Sequence, residues 1–334
     1  MTKSLNTFAS ANTRALFFVV GCMTLTIPMT TVVYGDDDED SVKTSATLLF
    51  PSELTNFLAH PFNPVFSATG MDTWDELIRE RGFVLKDKQG YRLWYTGYRK
   101  GDKTTRMLGL ATSSDGVHWK RHLENPIYSA KWTEDIFVMK HDDQYYLFAE
   151  GLDDRAHQMS SADGIHWKDE GTIDVRKSDG TPIEPGPYGT PTVWTQDGVW
   201  YLFYERRDAA VWLAKSTDRR VWTNVQDEPV LSKGPGAYDQ HAVAMNQVFR
   251  YQGRYYATYH ASAHRPWRDW STNLAVSDDL VHWKKYPKNP IVGENQSSGI
   301  YLHDGHRWLL YTMHPQVNLF YSRPKVSRSN LMRR

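Results

Sequence analysis

Carboxylates and histidines stand at matched places along this sequence. Four short aromatic runs end in turn at Thr96, Glu150, Glu205 and His260, and a fifth ends at Thr312. The apolar runs before them start at Glu80 or Arg81, Asp135, Thr190, Met245 or Asn246, and Ser298. The two series are uneven. Acids fall in the first three units and histidine in the fourth, and repetition alone gives no reason for that. Acids that face each other across a sugar can hydrolyse a glycosidic bond: one protonates the leaving oxygen while the other activates water or attacks. The other reading is structural, with Glu150 and Glu205 paired to Arg155, Arg206 or Arg207 and only holding elements together.

A repeat must bring these residues to one place. Aligned on Leu93, Leu147, Leu202, Ala257 and Leu309, the aromatic runs recur at steps of 54, 55, 55 and 52 residues. Each unit has an apolar strand, a tight polar turn and an aromatic strand, as in YYLFAEG from Tyr145. A third strand closes on Trp119, Trp167, Trp222 or Trp283. Proline-bearing stretches at 124–128, 227–231 and 288–292 are predicted as fourth strands at the edge, where a missing N–H costs nothing. Thr73 to Arg81 reads as a short helix or a loop. Short strands at close spacing mean an all-β chain. Four strands in each of five units mean a five-bladed β-propeller, with antiparallel blades stacked around a central channel over residues 60–322. The start of each first strand and the end of each second strand then border the same funnel mouth.

Net charge is zero over 334 residues, which argues against nucleic acid as a partner, since phosphate neutralisation needs a basic surface. Residues 1–35 read as a signal peptide: Lys3 and Arg14 precede the apolar run Ala15 to Val33, with cleavage expected near Gly35. An uncleaved membrane anchor and a lipoprotein attached through Cys22 are the other readings. Residues 36–59 form a lead segment and 323–334 a basic tail. Cys22 is the single cysteine, so the mature chain has no disulfide. A secreted or periplasmic monomer is expected.

Asp135-Ile136-Phe137-Val138, followed by a polar turn and YYLFAEG, resembles the strand pair of five-bladed glycoside hydrolases. ATSSDGVHW and SADGIHW are also similar to theirs. These are family 43 and its relatives, families 32, 117 and 130, and the resemblance covers about residues 60 to 322. It implies a base in blade one, a tuning and orienting acid in blade two, and a glutamate proton donor in blade three. Glu80, or Asp75 or Glu76, stands near the first position, and Asp135 matches the second. Blade three opens Gly189-Thr190-Pro191-Thr192 with no acid, so the donor falls to Glu205 or Glu184. The resemblance to family 117, where a histidine is the acid, adds His241 and His260.

Aromatic residues suit the apolar faces of sugar rings, and Trp74, Trp132, Tyr188 and Tyr238 are expected near the funnel. Substrate contacts are expected from Trp74, Glu150, Arg206, Tyr188, Asp239 and His260. Arg79, Arg81, Arg206, Arg207, Arg265 and Arg268 could recognise a carboxylate or sulfate on an anionic sugar, or neutralise the funnel acids. His118, His166 and His282 occupy a repeated turn and read as structural. No histidine spacing compels a metal, and no cofactor is expected beyond a structural calcium in the channel. Phosphate loops and dinucleotide fingerprints are missing from the sequence. The expectation is a glycoside hydrolase. A non-catalytic carbohydrate-binding propeller and a family 130 phosphorylase are the alternatives.

Overall fold

The computed structural model describes residues 49–183 and 187–323. The expected signal, Cys22, most of the lead, Glu184 and nearly all of the tail lie outside the described residues. Five sheets form a ring, the expected five-bladed β-propeller. Blade one runs through Phe83–Asp87, Gly90–Gly97, Met107–Ser113 and Lys120–Arg121. Blade two uses Glu134–His141, Gln144–Glu150, Ala156–Ser161 and Lys168–Thr172. Blade three uses Gly189–Gln196, Val199–Glu205, Ala210–Ser216 and Val221–Asn224, and Asp174–Arg176 joins its outer edge in parallel. Blade four uses Ala242–Tyr251, Arg254–His264, Arg268–Ser277 and Trp283–Lys285. Blade five combines Ile300–His303, Trp308–Thr312 and Asn318–Ser322 with Phe57–Ala59. The first strands of successive blades touch one another in a closed circuit.

Blade five shows how the ring closes. Its outer strand, Phe57–Ala59, comes from the stretch read as lead and pairs antiparallel with Asn318–Ser322. The two ends of the domain are thereby joined by backbone hydrogen bonds, and no blade is left with an open partner face. Thr73 to Arg81 is a loop, bridged by Leu77 to Tyr98, and forms no helix.

The tryptophans that close the third-strand turns make the joints between blades. Trp119 packs on Tyr311 of blade five, Trp167 on Trp94, Trp222 on Phe148 and Trp283 on Phe203. Each meets an aromatic of the preceding blade's second strand at edge-to-face geometry, which aromatic quadrupoles favour. The turn histidines are structural, as expected: His118, His166 and His282 each bond the turn aspartate, at 2.8, 2.7 and 2.6 Å.

The fourth strands are not where the prolines suggested. They lie at or just after the tryptophans. The proline stretches fold back on the third strand instead. Asn125 and Asn289 use their side-chain amides to bond both backbone groups of Leu110 and Leu274, and Asn63 does the same for Leu319. The amide supplies the N–H that the following proline lacks. Asn63-Pro64 is therefore blade five's copy of the motif, placed before the other blades in the chain.

Candidate active site

The first strands of blades two, three and four each carry a register shift near their start, at Glu134/Phe137, Gly189/Thr192 and Met245/Gln247. Asp135 and Thr190 sit inside such bulges at φ 46° and 44°, and Ser298 of blade five has φ 59°. Positive φ is costly for a β-branched residue such as Thr190, and such strain gathers where a side chain must be re-aimed. Here the bulges turn side chains into the channel mouth.

A cavity of about 380 Å³ opens there. Three acids from three blades line it: Glu80, Asp135 and Asp208. Arg79, Arg81, Tyr98, His260, Trp267, Trp270 and His314 complete most of the wall. The Glu80 carboxyl accepts the Tyr98 hydroxyl at 3.0 Å. Burial, and then the Asp135 charge, push its pKa above the ordinary carboxylate value. The Asp135 carboxylate accepts the Arg81 backbone N–H at 3.0 Å and the Thr190 hydroxyl at 3.3 Å. Asp208 accepts the Trp267 indole N–H at 2.8 Å, and burial raises its pKa too.

More acids lie directly behind. Glu134 accepts the Trp132 indole N–H at 2.7 Å and Arg106 Nε at 3.0 Å. Burial, then Glu80 and Asp135, raise its pKa to about 8. Glu150 accepts the Thr190 backbone N–H at 2.7 Å, so it satisfies the bulge rather than an arginine of its own loop. Burial, then Asp135 and Glu205, push it well above the usual range. Glu205 accepts the Asp208 backbone N–H at 2.5 Å and is raised to about 8, by burial first. Gly189 lies between the two glutamates. A Cβ there would run into the Glu150 carboxylate and come within 2.8 Å of Glu205 Oε1, so only glycine fits.

Two histidines of the wall, His260 buried and His314 half-buried, have lowered pKa values. Burial pulls His260 down to about 4, and its Nδ1 bonds the Asn246 amide at 2.8 Å. Burial also lowers His314, whose Nδ1 bonds the Arg79 carbonyl at 2.6 Å.

Of the residues expected from sequence, Glu80, Asp135 and His260 meet at this cavity together with Arg79 and Arg81, and Glu150 and Glu205 lie behind its wall. Asp75, Trp74, Tyr188, Arg206, His241 and Asp239 do not line it. Asp75 is buried in blade one, held by Arg121 at 3.0 Å and by Thr69 and Tyr95. Trp74 stacks on Tyr95 and covers Gly97 and Gly109. Tyr188 bonds the Ile173 carbonyl at 3.1 Å, Arg206 Nε reaches the Pro187 carbonyl, and His241 joins the blade-four sheet through its backbone N–H. Asp239 is fully buried against Lys285 at 2.5 Å. Among the described residues no group of three or more His, Cys, Asp or Glu is arranged to hold a metal ion. Glu134, Asp208, Trp267, Trp270 and His314 were not foreseen. Glu134 adjoins Asp135 and Asp208 follows Glu205 by three residues, but one-residue-per-ring counting passes over both.

The raised acids fix a sign for stability against pH. Glu134 and Glu205 bind protons in the folded state up to about pH 8, far above the ordinary carboxylate value. Their stabilisation is complete below that ordinary value and is lost as pH rises through about 8. The histidines with lowered pKa values act oppositely, but only below about 6.5. The melting temperature should therefore fall by at least about 5 °C between pH 6.5 and pH 8.5 in a thermal scan. A flat or rising curve over that interval would contradict the buried protonated acids.

No family model matches the chain, and no curated protein is similar to it in sequence. Solved structures are similar in fold. A candidate glycoside hydrolase from Parabacteroides distasonis has 15% identity and a TM-score of 0.67, over 82% of this chain and 98% of that one. Another comes from the GH130 family of mannoside phosphorylases, which contains glycoside hydrolases that target β-1,2 mannosidic linkages in Candida mannan. It has 15% identity and a TM-score of 0.65, over 81% of this chain and 94% of that one. A β-1,2-mannobiose phosphorylase from Listeria innocua has 14% identity and a TM-score of 0.60, over 80% and 96%. What they share with this chain is the fold.

Proposed function

We propose that the protein is a carbohydrate-active enzyme, a glycoside hydrolase working at the channel mouth. The observation that carries this is the convergence of Glu80, Asp135 and Asp208 on one cavity that also presents the indoles of Trp267 and Trp270. Burial, and then the Asp135 charge, raise the Glu80 pKa, and Asp135, beside it in the cavity and held by the Arg81 backbone N–H, is the base or nucleophile. Asp208, whose pKa burial raises, is the proton donor. The donor thus moves from Glu205 to its neighbour in the same loop, and Glu205 holds that neighbour's backbone. The sequence reading of an exported protein fits a polysaccharide or oligosaccharide substrate met outside the cytoplasm.

A panel of neutral, uronate and sulfated glycans, with and without inorganic phosphate, tests the reading. Cleavage without phosphate is the expected result. Arg79, exposed at the same cavity, favours phosphorolysis as the second reading, and turnover that requires added phosphate would establish it. Binding without turnover would make the propeller a binding module and overturn the enzyme reading.

Asp208→Asn checks the donor. It should lower kcat/KM on the natural glycan about 10²- to 10³-fold and abolish the alkaline limb of the pH profile. The same variant should keep most activity on an aryl glycoside whose leaving group needs no proton. Equal losses on both substrates would remove Asp208 from the donor role.

A further inference from the structure

Trp267 occupies an unusual place. It lies in the hairpin between the second and third strands of blade four, 11 and 10 residues long, which pair as far as His264 with Arg268. The hairpin carries Trp267 across to blade three, where its indole N–H bonds Asp208 Oδ2. The residue is 53% exposed although it lines the cavity. An indole left open to water beside a sugar-sized cavity offers an apolar face, while its N–H is already committed to the acid. Trp270, three residues on, packs edge-on against His260 and is less exposed.

We propose that Trp267 is a positioning and specificity residue with two separable parts. The ring face stacks on the sugar unit on the leaving-group side. The N–H pins one oxygen of Asp208, so that the other oxygen carries the proton toward the glycosidic oxygen. Coupling the two parts means that the acid is aligned by the same side chain that grips the departing sugar. The sugar half of this inference rests on the glycosidase reading, and the Asp208 half does not.

The groups acting on Asp208 are known from every side. Asp135 and Asp154 add like charge, Lys233 opposes them, Glu205 accepts its backbone N–H, and Trp267 donates to its carboxyl. Among the described residues, Trp267 gives the Asp208 side chain a hydrogen bond that favours its ionised form. Removing that bond should make the acid hold its proton to higher pH.

Two variants separate the parts. Trp267→Phe keeps an aromatic face and deletes the N–H, and Trp267→Ala deletes both. With aspartate labelled at its side-chain carboxyl carbon, and Asp208→Asn used to assign the signal, an NMR titration should show the Asp208 midpoint raised by about one pH unit in both variants. On the glycan that the parent cleaves, Trp267→Phe should keep KM within about twofold while the alkaline limb moves up. Trp267→Ala should also raise KM about tenfold or more. Trp267 is exposed, so neither change disturbs the core. An unmoved Asp208 midpoint overturns the positioning half, and equal KM values in the two variants overturn the stacking half. A parent that cleaves no glycan overturns the glycosidase reading and the stacking half with it. The titration still decides the Asp208 half.

Discussion

Asp135→Asn should lower kcat/KM about 10³-fold while leaving the melting temperature within about 3 °C of the parent. The structural part of this expectation follows from the backbone. Asp135 sits at φ 46°, a conformation that asparagine tolerates as well as aspartate. The amide oxygen can still accept the Arg81 N–H, and the amide nitrogen still faces the Thr190 hydroxyl. What disappears is the charge. Without it, the Glu80 pKa should fall back toward the ordinary carboxylate value, because Asp135 is the largest charge raising it. Glu80 then ionises alone, without its partner and bonded to Tyr98 rather than to the bulge. The acid limb of any residual activity should therefore move to lower pH. Kinetics across pH, set beside a thermal scan of the same preparation, would check both halves. Retention of more than about a tenth of parental activity would take Asp135 out of the base pair.

The blade count and the residue at the start of blade two were legible because they rest on periodicity. A pitch near 55 residues survives any local irregularity, and Asp135 lies one pitch before Thr190. The acid proposed as donor was not legible, because Asp208 lies in the loop beyond Glu205, past the strand end at which ring counting stops. The register shifts lie in the first strands and re-aim residues such as Asp135. Glu150 and Glu205 end the second strands and face Gly189, and the loop acid Asp208 takes the open position. Trp267 was hidden for another reason. It acts on blade three from a hairpin of blade four, and only the length of that hairpin hinted that it crosses the mouth. Asp75, Trp74 and Asp239 misled because an acid or an indole near a strand end reads the same whether it faces the channel or a blade's own core. Arg121, Tyr95 and Lys285 decide that question, and each is far from its partner in sequence.

Arg81→Met should destabilise the protein by about 4 kcal/mol or more, the largest effect of any single change near the site. Arg81 is fully buried at the channel axis, and burial lowers its pKa to about 10, so it stays charged at neutral pH. Its guanidinium makes five hydrogen bonds, none to a carboxylate side chain. Four go to the carbonyls of Asp135, Ile136, Pro191 and Met245, and the fifth goes to the Thr192 hydroxyl. Those carbonyls belong to the bulged starts of blades two, three and four, where the register shifts have taken them out of the ladder. A bulge in a buried strand leaves polar groups that need another partner. Arg81 is that partner for three blades at once, and its charge also offsets Asp135 and Glu150. Methionine fills the volume but removes the guanidinium donors from the Asp135, Ile136 and Pro191 carbonyls, leaves Met245 with the Thr192 hydroxyl at 2.9 Å, and takes the cation from the acids. Lysine keeps the charge but not the planar fork, so Arg81→Lys should recover less than half of the loss. Urea unfolding of the two variants would measure this, with the melting temperature of Arg81→Met down by about 10 °C. A methionine variant that melts within about 2 °C of the parent would mean that the bulge carbonyls have other partners. Of the two readings of the funnel arginines, Arg81 fits the neutralising one, and it also holds the strained backbone that aims Asp135 at the cavity.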